Sequence, residues 1–481
     1  MAVLLESERK SAKARIFLAV VYSVLALGGA SMALPFGMML AGSLSSQYDT
    51  RRNIPFFTAL FDRDDRFMRS VAAHFKTFPR EIYPDAPAGW TIWSEVAKDR
   101  EGVRRFAERE LAGYGEGLAG YAEKKARARR FAEALAAMPA EELTCRHDAR
   151  DVPRFLKARY GSIGKLNAEW SVPHKSFFDA SFAAESRMDA AGAGRTAGDP
   201  GKSAAWRDMK LWYARRAVES GDFVSRSLPR RLAASAADVR NALAVQFSEH
   251  GLRDLLAEAA GNYRLVFEYL FVRGRAFANT LVLVVLSVLA SLTVNPLAAY
   301  ALSRFRLKGA EKIILFLLAT SAFPAAVTAI PGFLLMRDLG LLNTFAALVL
   351  PTAASGMSIF ILKGFFDALP SELYEAAAID GAPETTVFLR ITLPMAKPIL
   401  AVNALNAFIH AYASWEWAFL VCNKESHWTL AVWMYQMSAE TFVGQPWCVM
   451  AAFTVVSVPV AAVFLLCQKL ILRGIVLPTM K

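Results

Sequence analysis

A short polar stretch between two long apolar segments reads Pro370-Ser371-Glu372-Leu373-Tyr374-Glu375-Ala376-Ala377-Ala378-Ile379-Asp380-Gly381-Ala382. The pattern predicts a short helix. The negative charge of Glu375 interacts favourably with the positive end of the helix dipole, and Gly381 ends the helix in the left-handed backbone conformation. A second short helix is predicted over Pro383–Arg390, because proline suits the first helical turn. Two short helices joined at a glycine predict a compact knob that fits a groove on a soluble partner.

The apolar segments around this stretch are long enough to cross a membrane. A spanning helix needs about 20 mostly apolar residues. The sequence contains six such segments: Ile16–Leu40, Phe277–Leu302, Ile313–Met336, Phe345–Phe366, Ile399–Val421 and Val449–Leu472. The first is predicted to be a retained membrane helix, because it is too long for the apolar region of a signal peptide. The predicted fold class is an all-α integral membrane protein with a six-helix transmembrane bundle.

Charges in the short connections predict the orientation. Four basic residues crowd the connection between the second and third segments: Arg304, Arg306, Lys308 and Lys312. The next connection holds only Arg337 against Asp338. Because Lys and Arg collect on the cytoplasmic side, both termini and the loop 370–398 are predicted to be cytoplasmic, in a multi-pass protein of the cell inner membrane. The net charge of +12 has the same explanation, so a lipid bilayer and not nucleic acid is the expected partner.

A long polar segment, residues 45–270, separates the first apolar segment from the second. It is too polar to span a membrane and long enough to form a domain. Strong helix formers dominate much of it, which predicts a mainly helical, extracytoplasmic insertion. The predicted organisation is residues 1–44 for the cytoplasmic N-terminus and first membrane helix, 45–270 for the inserted domain, and 271–481 for a five-helix membrane core.

Motifs for catalysis or metal binding are sparse. Residues 201–203 resemble the end of a phosphate-binding loop, but Thr196 stands where the first glycine is required. The four cysteines lack metal-ligand spacing, and whether Cys422 and Cys448 pair is left open. No catalytic residue, metal ligand or cofactor is predicted.

The quoted stretch resembles the EAA loop of ABC importer permeases. In that family Glu-Ala-Ala is followed after three residues by Gly, and ten residues later by Ile-x-Leu-Pro. This chain has the same residue types at matching positions: Glu375, Ala376, Ala377, Gly381, Ile391, Leu393 and Pro394. The form around Asp380 most resembles the carbohydrate-uptake branch, the second permease subunit of the maltose type. The resemblance covers about residues 1–44 and 275–481 and does not extend to the insertion.

The resemblance implies a division of labour between subunits. Two permease chains form the pathway, two cytoplasmic ATPases bind and hydrolyse ATP, and an extracytoplasmic binding protein delivers the solute. This chain would then be a non-catalytic permease subunit without a cofactor of its own. The residues expected to couple it to the ATPase are Glu375, Ala376, Ala377, Asp380, Gly381, Ile391, Leu393 and Pro394.

Polar and aromatic side chains on the fifth apolar segment are the candidates for the solute path. They are Asn403, Asn406, His410, Ser414, Trp415, Glu416 and Trp417. The first four recur at helical spacing and share one face. Polar groups in membrane helices usually face a cavity, although hydrogen bonding between helices is the alternative. The tryptophans fit an interfacial belt or sugar-stacking surfaces.

Two other functions stay open on the sequence alone. One is an ABC permease for another solute, such as a peptide or a polyamine. The other is a membrane-anchored enzyme or sensor whose active domain is the insertion. Residues 157–179 resemble a short helical segment of some glycoside hydrolases, but the paired carboxylates that glycosidases need are not identifiable. A packing or partner-docking module is therefore the favoured interpretation of this segment.

Overall fold

The computed structural model describes residues 12–46, 48–49, 60–146, 148, 150–182, 184–186, 199–272, 275–305, 307–321, 323–441 and 445–475. Thr196, both chain ends and Arg306 lie outside the described residues. The chain forms two compact units. The first unit is Met1–Val266 with Thr441–Thr454, and the second unit is Phe267–Glu440 with Val455–Lys481.

The first unit contains one membrane-length helix and most of the polar insertion. Its α-helices are α1 (Ala12–Ser43), α2 (Arg63–His74), α3 (Trp93–Val96), α4 (Arg100–Glu110), α5 (Tyr121–Ala137), α6 (Val152–Tyr160), α7 (Ile163–Glu169), α8 (Pro200–Glu219) and α9 (Ala236–Phe267). Short 3-10 helices cover Phe177–Asp179 and Leu232–Ser235. Strands β1 (Leu143–Cys145) and β2 (Ser227–Pro229) pair antiparallel, with Thr144 opposite Leu228. The insertion is thus mainly helical, as predicted, with a small sheet that the sequence did not indicate.

Aromatic side chains form the core of the insertion. Helix α4 buries Val103, Phe106 and Ala107 at the spacing of an amphipathic helix. The Phe106 ring lies 5.1 Å from the ring of Tyr83 and 5.4 Å from that of Trp90, both edge to face. Such contacts between buried rings add to the stability gained by burying their apolar area. The insertion is therefore a folded domain with its own core.

The segment that resembles glycoside hydrolases packs as a structural module. Trp170 is 2% exposed, and its Nε1 donates to the Tyr160 hydroxyl at 3.1 Å. The Asn167 side chain closes the following loop, because it donates to the His174 carbonyl and accepts from the His174 amide, both at 2.8 Å. These residues hold one another and their loop in place, which agrees with the packing interpretation.

Buried polar groups tie the end of α1 to the insertion. Asn262 on α9 donates through Nδ2 to the carbonyls of Ser43, at 2.9 Å, and Ser45, at 3.2 Å. Its Oδ1 accepts from Arg150 at 2.8 Å. The last carbonyls of a helix lack partners within the helix. Asn262 therefore supplies, from a residue more than two hundred positions away, the donors that the end of α1 needs.

Ion pairs surround this junction. Arg69 pairs with Asp49 and Glu258, both at 2.8 Å, and Arg150 pairs with Asp148 at 2.6 Å and with Glu258 at 3.3 Å. Burial alone would raise the pKa of Glu258, but Arg69 and Arg150 outweigh burial and hold that pKa below its ordinary value. Removing one member of such a network leaves a buried charge without its partner. The network therefore fixes the geometry at this junction.

The second unit contains most of the apolar segments. Its α-helices are α10 (Ala276–Arg304), α11 (Ala310–Ser321), α12 (Ala325–Asp338), α13 (Phe345–Val349), α14 (Gly356–Asp367), α15 (Ser371–Ile379), α16 (Glu384–Thr386), α17 (Leu393–Met395), α18 (Lys397–Ala413), α19 (Trp415–Val421) and α20 (Leu430–Gln436). The last helix, α21 (Pro446–Ile475), begins in the first unit and ends in the second. Helices with π geometry cover Glu268–Val272, Val387–Thr392 and Met437–Thr441, and 3-10 helices cover Leu350–Thr352 and Glu425–His427. Helix α10 packs against both α14 and α18.

The membrane helices are more broken than predicted. Among the described residues, three helices are long and apolar enough to span a membrane, or up to five if each of two bent helix pairs is one span. The prediction of one continuous helix over Ile313–Met336 is wrong, because α11 ends at Ser321 and α12 begins at Ala325. Pro324 precedes α12 with an extended ψ of 133°, so the helix begins only after it.

Two other predicted spans also contain breaks. Phe345–Phe366 is divided between α13 and α14, with a 49° bend, and the amide of Ser355 at that bend donates to the buried Asn295 side chain at 2.9 Å. Ile399–Val421 is interrupted at Ser414, between α18 and α19. Each of these predicted continuous spans is corrected to a broken one.

Candidate functional site

The loop 370–398 has the predicted two-helix geometry. Helix α15 ends in a Schellman motif: the Ala382 amide donates to the Ala377 carbonyl at 3.0 Å, and the Gly381 amide to the Ala378 carbonyl at 3.1 Å. Gly381 has a φ of +70°, the left-handed value predicted from the sequence. A Cβ atom at this position would meet no atom within 4 Å, so the requirement for glycine comes from the backbone angle alone.

The second helix of the loop is longer than predicted. Pro383 precedes α16, and the helix continues through the π segment Val387–Thr392 into α17. Of the residues predicted to couple this loop, Ile391 and Leu393 are half-buried and Pro394 is exposed. This second helix ends at Met395 and meets α18 at a bend of 82°.

Side chains at the end of α10 hold this loop. The Arg304 guanidinium lies over the Tyr374 ring, 3.2 Å from its centre. The Tyr300 hydroxyl donates to the Glu384 carboxylate at 2.5 Å, and its ring lies 5.0 Å from that of Phe388. The membrane helix α10 thus contacts both short helices of the loop. The sequence shows a tyrosine and an arginine here, but only the structure shows what they contact.

The opposite surface of the loop is open. Glu375, Ala376, Asp380 and Gly381 are exposed, whereas Ala377 is buried. Among the large apolar side chains of this loop, Ile379 has the highest exposed fraction, 86%. An exposed apolar tip on a rigidly held element is typical of a docking surface.

The solute-path candidates occupy several environments. Asn403 is buried and donates to the Ser291 carbonyl on α10 at 3.3 Å, which is a contact between helices. Asn406 and His410 are exposed, one and two turns further along α18. Ser414 forms the break and donates to the Ala411 carbonyl at 3.2 Å. The structure therefore separates Asn403 from the two exposed members of the predicted polar face.

The residues after the break at Ser414 also lie in different environments. Trp417 is half-buried, and its Nε1 donates to the Ala347 carbonyl at 2.9 Å. Trp415 stacks on Tyr435, with ring centres 4.4 Å apart and planes 16° from parallel. Glu416 between them is exposed. Tyr435 was missed by the sequence reasoning, because no spacing pattern links residues on separate helices.

The cysteines and acidic groups of the described chain show no metal-binding arrangement. Cys422 and Cys448, whose pairing the sequence left open, are both free thiols. Within the described ranges no group of three His, Cys, Asp or Glu side chains is placed to hold a metal ion.

Comparison with known proteins gives a consistent family. Residues 295–476 match the sequence profile of the family described as binding-protein-dependent transport system inner membrane component. A polygalacturonan/rhamnogalacturonan transport system permease protein of Bacillus subtilis is 31% identical over 232 residues, which are 45% of this chain and 80% of that protein. A galactooligosaccharides transport system permease protein of Bacillus subtilis is 29% identical over 201 residues, which are 41% of this chain and 71% of that protein.

One solved structure is also similar. It is the crystal structure of a bacterial ABC transporter involved in the import of the acidic polysaccharide alginate. The match has 28% identity and a TM-score of 0.39, and covers 43% of this chain and 78% of that chain. Because that TM-score is low, the assignment rests on the sequence relatives. The chain belongs to the family of binding-protein-dependent transport system inner membrane components, and it is a non-catalytic permease subunit, as predicted.

Proposed function

We propose that this chain is one permease subunit of an ABC importer and forms part of the membrane path for a carbohydrate. The loop 370–398 couples it to the ATPase, so that ATP hydrolysis drives its conformational change. The relatives described above carry polygalacturonan, rhamnogalacturonan or galactooligosaccharide transport in their names. The alternative of a peptide or polyamine as solute has no comparable support.

The observation that carries the proposal is the geometry of the loop 370–398. Its outer surface exposes Glu375 and the apolar Ile379, and its inner surface is held by Tyr300 and Arg304. An apolar tip with a nearby carboxylate suits a cleft on the cytoplasmic ATPase that is apolar inside and basic at its edge. Because the loop is fixed to α10, closure of the ATPases would move this membrane helix with it.

The remaining subunits follow from this role. A second permease chain would complete the pathway, two ATPases would supply energy, and an extracytoplasmic binding protein would deliver the solute. The path itself would use the exposed Asn406 and His410 of α18, with Ser414 at the break and Trp415, Glu416 and Trp417 beyond it. The membrane is the cell inner membrane, with both termini in the cytoplasm.

The test uses two loop variants in the complete transporter. Gly381→Val places a β-branched residue at positive φ, which costs on the order of 1–3 kcal/mol and displaces the knob. Glu375→Lys reverses the charge on the exposed surface. Both are expected to abolish solute uptake, with the ATPase either lost on purification or hydrolysing ATP without response to solute.

Two matched controls are available in the same unit. Gly309 has a φ of +85° with open space around it, so Gly309→Val applies similar backbone strain outside the loop. Glu311→Lys reverses an exposed charge at the start of α11. Both controls should transport normally. Wild-type uptake by both loop variants, with the ATPase still bound, would reject the proposed coupling role.

A further inference from the structure

The break in the fifth apolar segment has a clear backbone signature. Ser414 has φ and ψ of −75° and 80°, so the helical path stops after Ala413 and resumes at Trp415. Non-helical backbone at membrane depth is tolerated where it is buried in protein or lines a water-filled cavity. The exposed residues next to this break can therefore form a binding site that a continuous helix would not provide.

The two tryptophans after the break have different roles. Residues two positions apart on a helix point about 200° from each other, so Trp415 and Trp417 lie on opposite faces. Trp417 is anchored by its hydrogen bond to Ala347, and its ring lies 3.0 Å from where a Cβ atom of Gly332 would be. Trp417 is a positioning residue. Trp415, on the other face, is half-buried, and part of its side chain is accessible.

Trp415 is part of an aromatic surface built from two helices. Its ring stacks on that of Tyr435 from α20, and the Phe419 ring lies 5.3 Å from Tyr435. Tyr435 is 36% exposed and Phe419 is 39% exposed, so part of each side chain is accessible from outside the described chain. We call Trp415, Phe419 and Tyr435 the aromatic surface.

Two exposed polar residues are close in sequence to the aromatic surface. Glu416 is exposed and makes no hydrogen bond or ion pair with any described residue. His410, one helical turn before Ser414, is exposed as well. An ionisable side chain within an apolar span is costly and normally faces a water-filled cavity. Because Glu416 directly follows Trp415 on α19, its carboxylate is the nearest charged group in sequence to a ligand on the Trp415 ring.

We propose that the stacked pair of Trp415 and Tyr435 binds one pyranose ring of an uncharged sugar on the outer face of the pair, and that the sugar hydroxyl groups donate hydrogen bonds to the Glu416 carboxylate. This inference rests on the proposed carbohydrate path and adds the chemical class of the solute. A pyranose has an apolar C–H face that stacks on aromatic rings and a rim of hydroxyl donors. A uronate would bring a second negative charge next to Glu416, so the site selects against acidic sugars.

The experiment measures uptake by the complete transporter, with its binding protein, in proteoliposomes. The probes are radiolabelled maltotriose, cellotriose and galactotriose as neutral sugars, and trigalacturonate as the acidic one. For the neutral sugar that is transported, Trp415→Ala and Tyr435→Ala should each lower the uptake rate about tenfold when the binding protein is saturated with sugar. Trp415→Phe and Tyr435→Phe keep a ring and should stay within about twofold of wild type.

Two further variants complete the test. Phe408→Ala removes an aromatic ring on α18 that stacks on Tyr412 and lies outside the aromatic surface, so it should leave uptake unchanged. Glu416→Gln removes the negative charge and should allow trigalacturonate to be transported, which wild type should not do.

The outcomes separate this inference from the proposed function. Sugar uptake by Trp415→Ala and Tyr435→Ala at the level of Phe408→Ala would overturn the aromatic site and leave the sugar permease standing. Wild-type transport of trigalacturonate as fast as any neutral sugar would overturn the uncharged class. If peptides or polyamines stimulate ATP hydrolysis and none of the sugars does, the proposed carbohydrate function fails, and this inference fails with it.

Discussion

At the level of single residues, His74 gives the insertion a dependence on pH. The pKa of its imidazole is lowered to about 4, mainly by burial and with smaller contributions from the nearby Arg226 and Arg146, which together outweigh the hydrogen bond to the Ser70 carbonyl and the charge of Asp222. The ordinary pKa of histidine is about 6.5. Between these values the unfolded chain binds a proton that the folded chain does not, so stability is present at neutral pH and decreases as the pH falls.

The expected size of this effect is on the order of 2 kcal/mol between pH 7 and pH 4.5. It is measured as the thermal unfolding temperature of the purified protein in detergent at several pH values. His74→Gln should flatten the decrease between pH 6.5 and 4.5, whereas His427→Gln, a change at a 3-10 helix of the second unit, should not. An unchanged pH profile for His74→Gln would show that this imidazole is not the titrating group.

At the level of elements, the contacts between α10 and the loop 370–398 lead to a separate prediction. Tyr300→Phe removes only the hydroxyl that donates to Glu384 and keeps the ring contact with Phe388. A hydrogen bond to a charged group contributes about 1.5–3 kcal/mol. The loop should therefore detach more often from α10, which lowers the solute transported per ATP hydrolysed severalfold while the ATPase stays bound.

The matched control is Ser303→Ala, which removes a neighbouring hydrogen bond from α10 to Asp367 and leaves the loop contacts intact. Its ratio of transport to hydrolysis should equal that of wild type. Equal ratios for both variants would mean that the Tyr300 hydroxyl does not transmit movement to the loop.

The elements differ in how far they could be predicted from the sequence. The turn at Gly381 was predictable, because a left-handed stop is a local property and only glycine accepts it readily. The breaks at Ser414 and before Ala325 were not predicted, because hydropathy over a 20-residue window averages across a short interruption. The contacts of Trp415 with Tyr435 and of Arg304 with Tyr374 could not be predicted for a different reason. The two residues of each pair belong to different helices, and the periodicity of one helix does not show which residues of another helix it contacts.

At the scale of the whole molecule, the orientation in the membrane is the prediction with the widest consequences. Residues 45–270 should lie outside the cell membrane, and residues 375–393 should lie in the cytoplasm. Protease added to intact spheroplasts should therefore cut the insertion and spare the loop, and lysis should expose the loop to cleavage. Cleavage in the opposite order would reverse the orientation and with it the proposed site of contact with the ATPase.

The contact between Asn262 and the end of α1 also limits how this permease can be shortened by engineering. A shortened chain that joins residue 46 directly to residue 270 would discard Asn262 and Arg150 together with the inserted domain. The carbonyls of Ser43 and Ser45 would then lose their donors at the point where the chain leaves the apolar segment, and each would need water or a residue of the new loop as its partner. A trimmed permease would need a replacement cap in its new loop, such as an asparagine or a glycine-ended turn. Removal of the inserted domain therefore requires a redesign of the loop that follows α1.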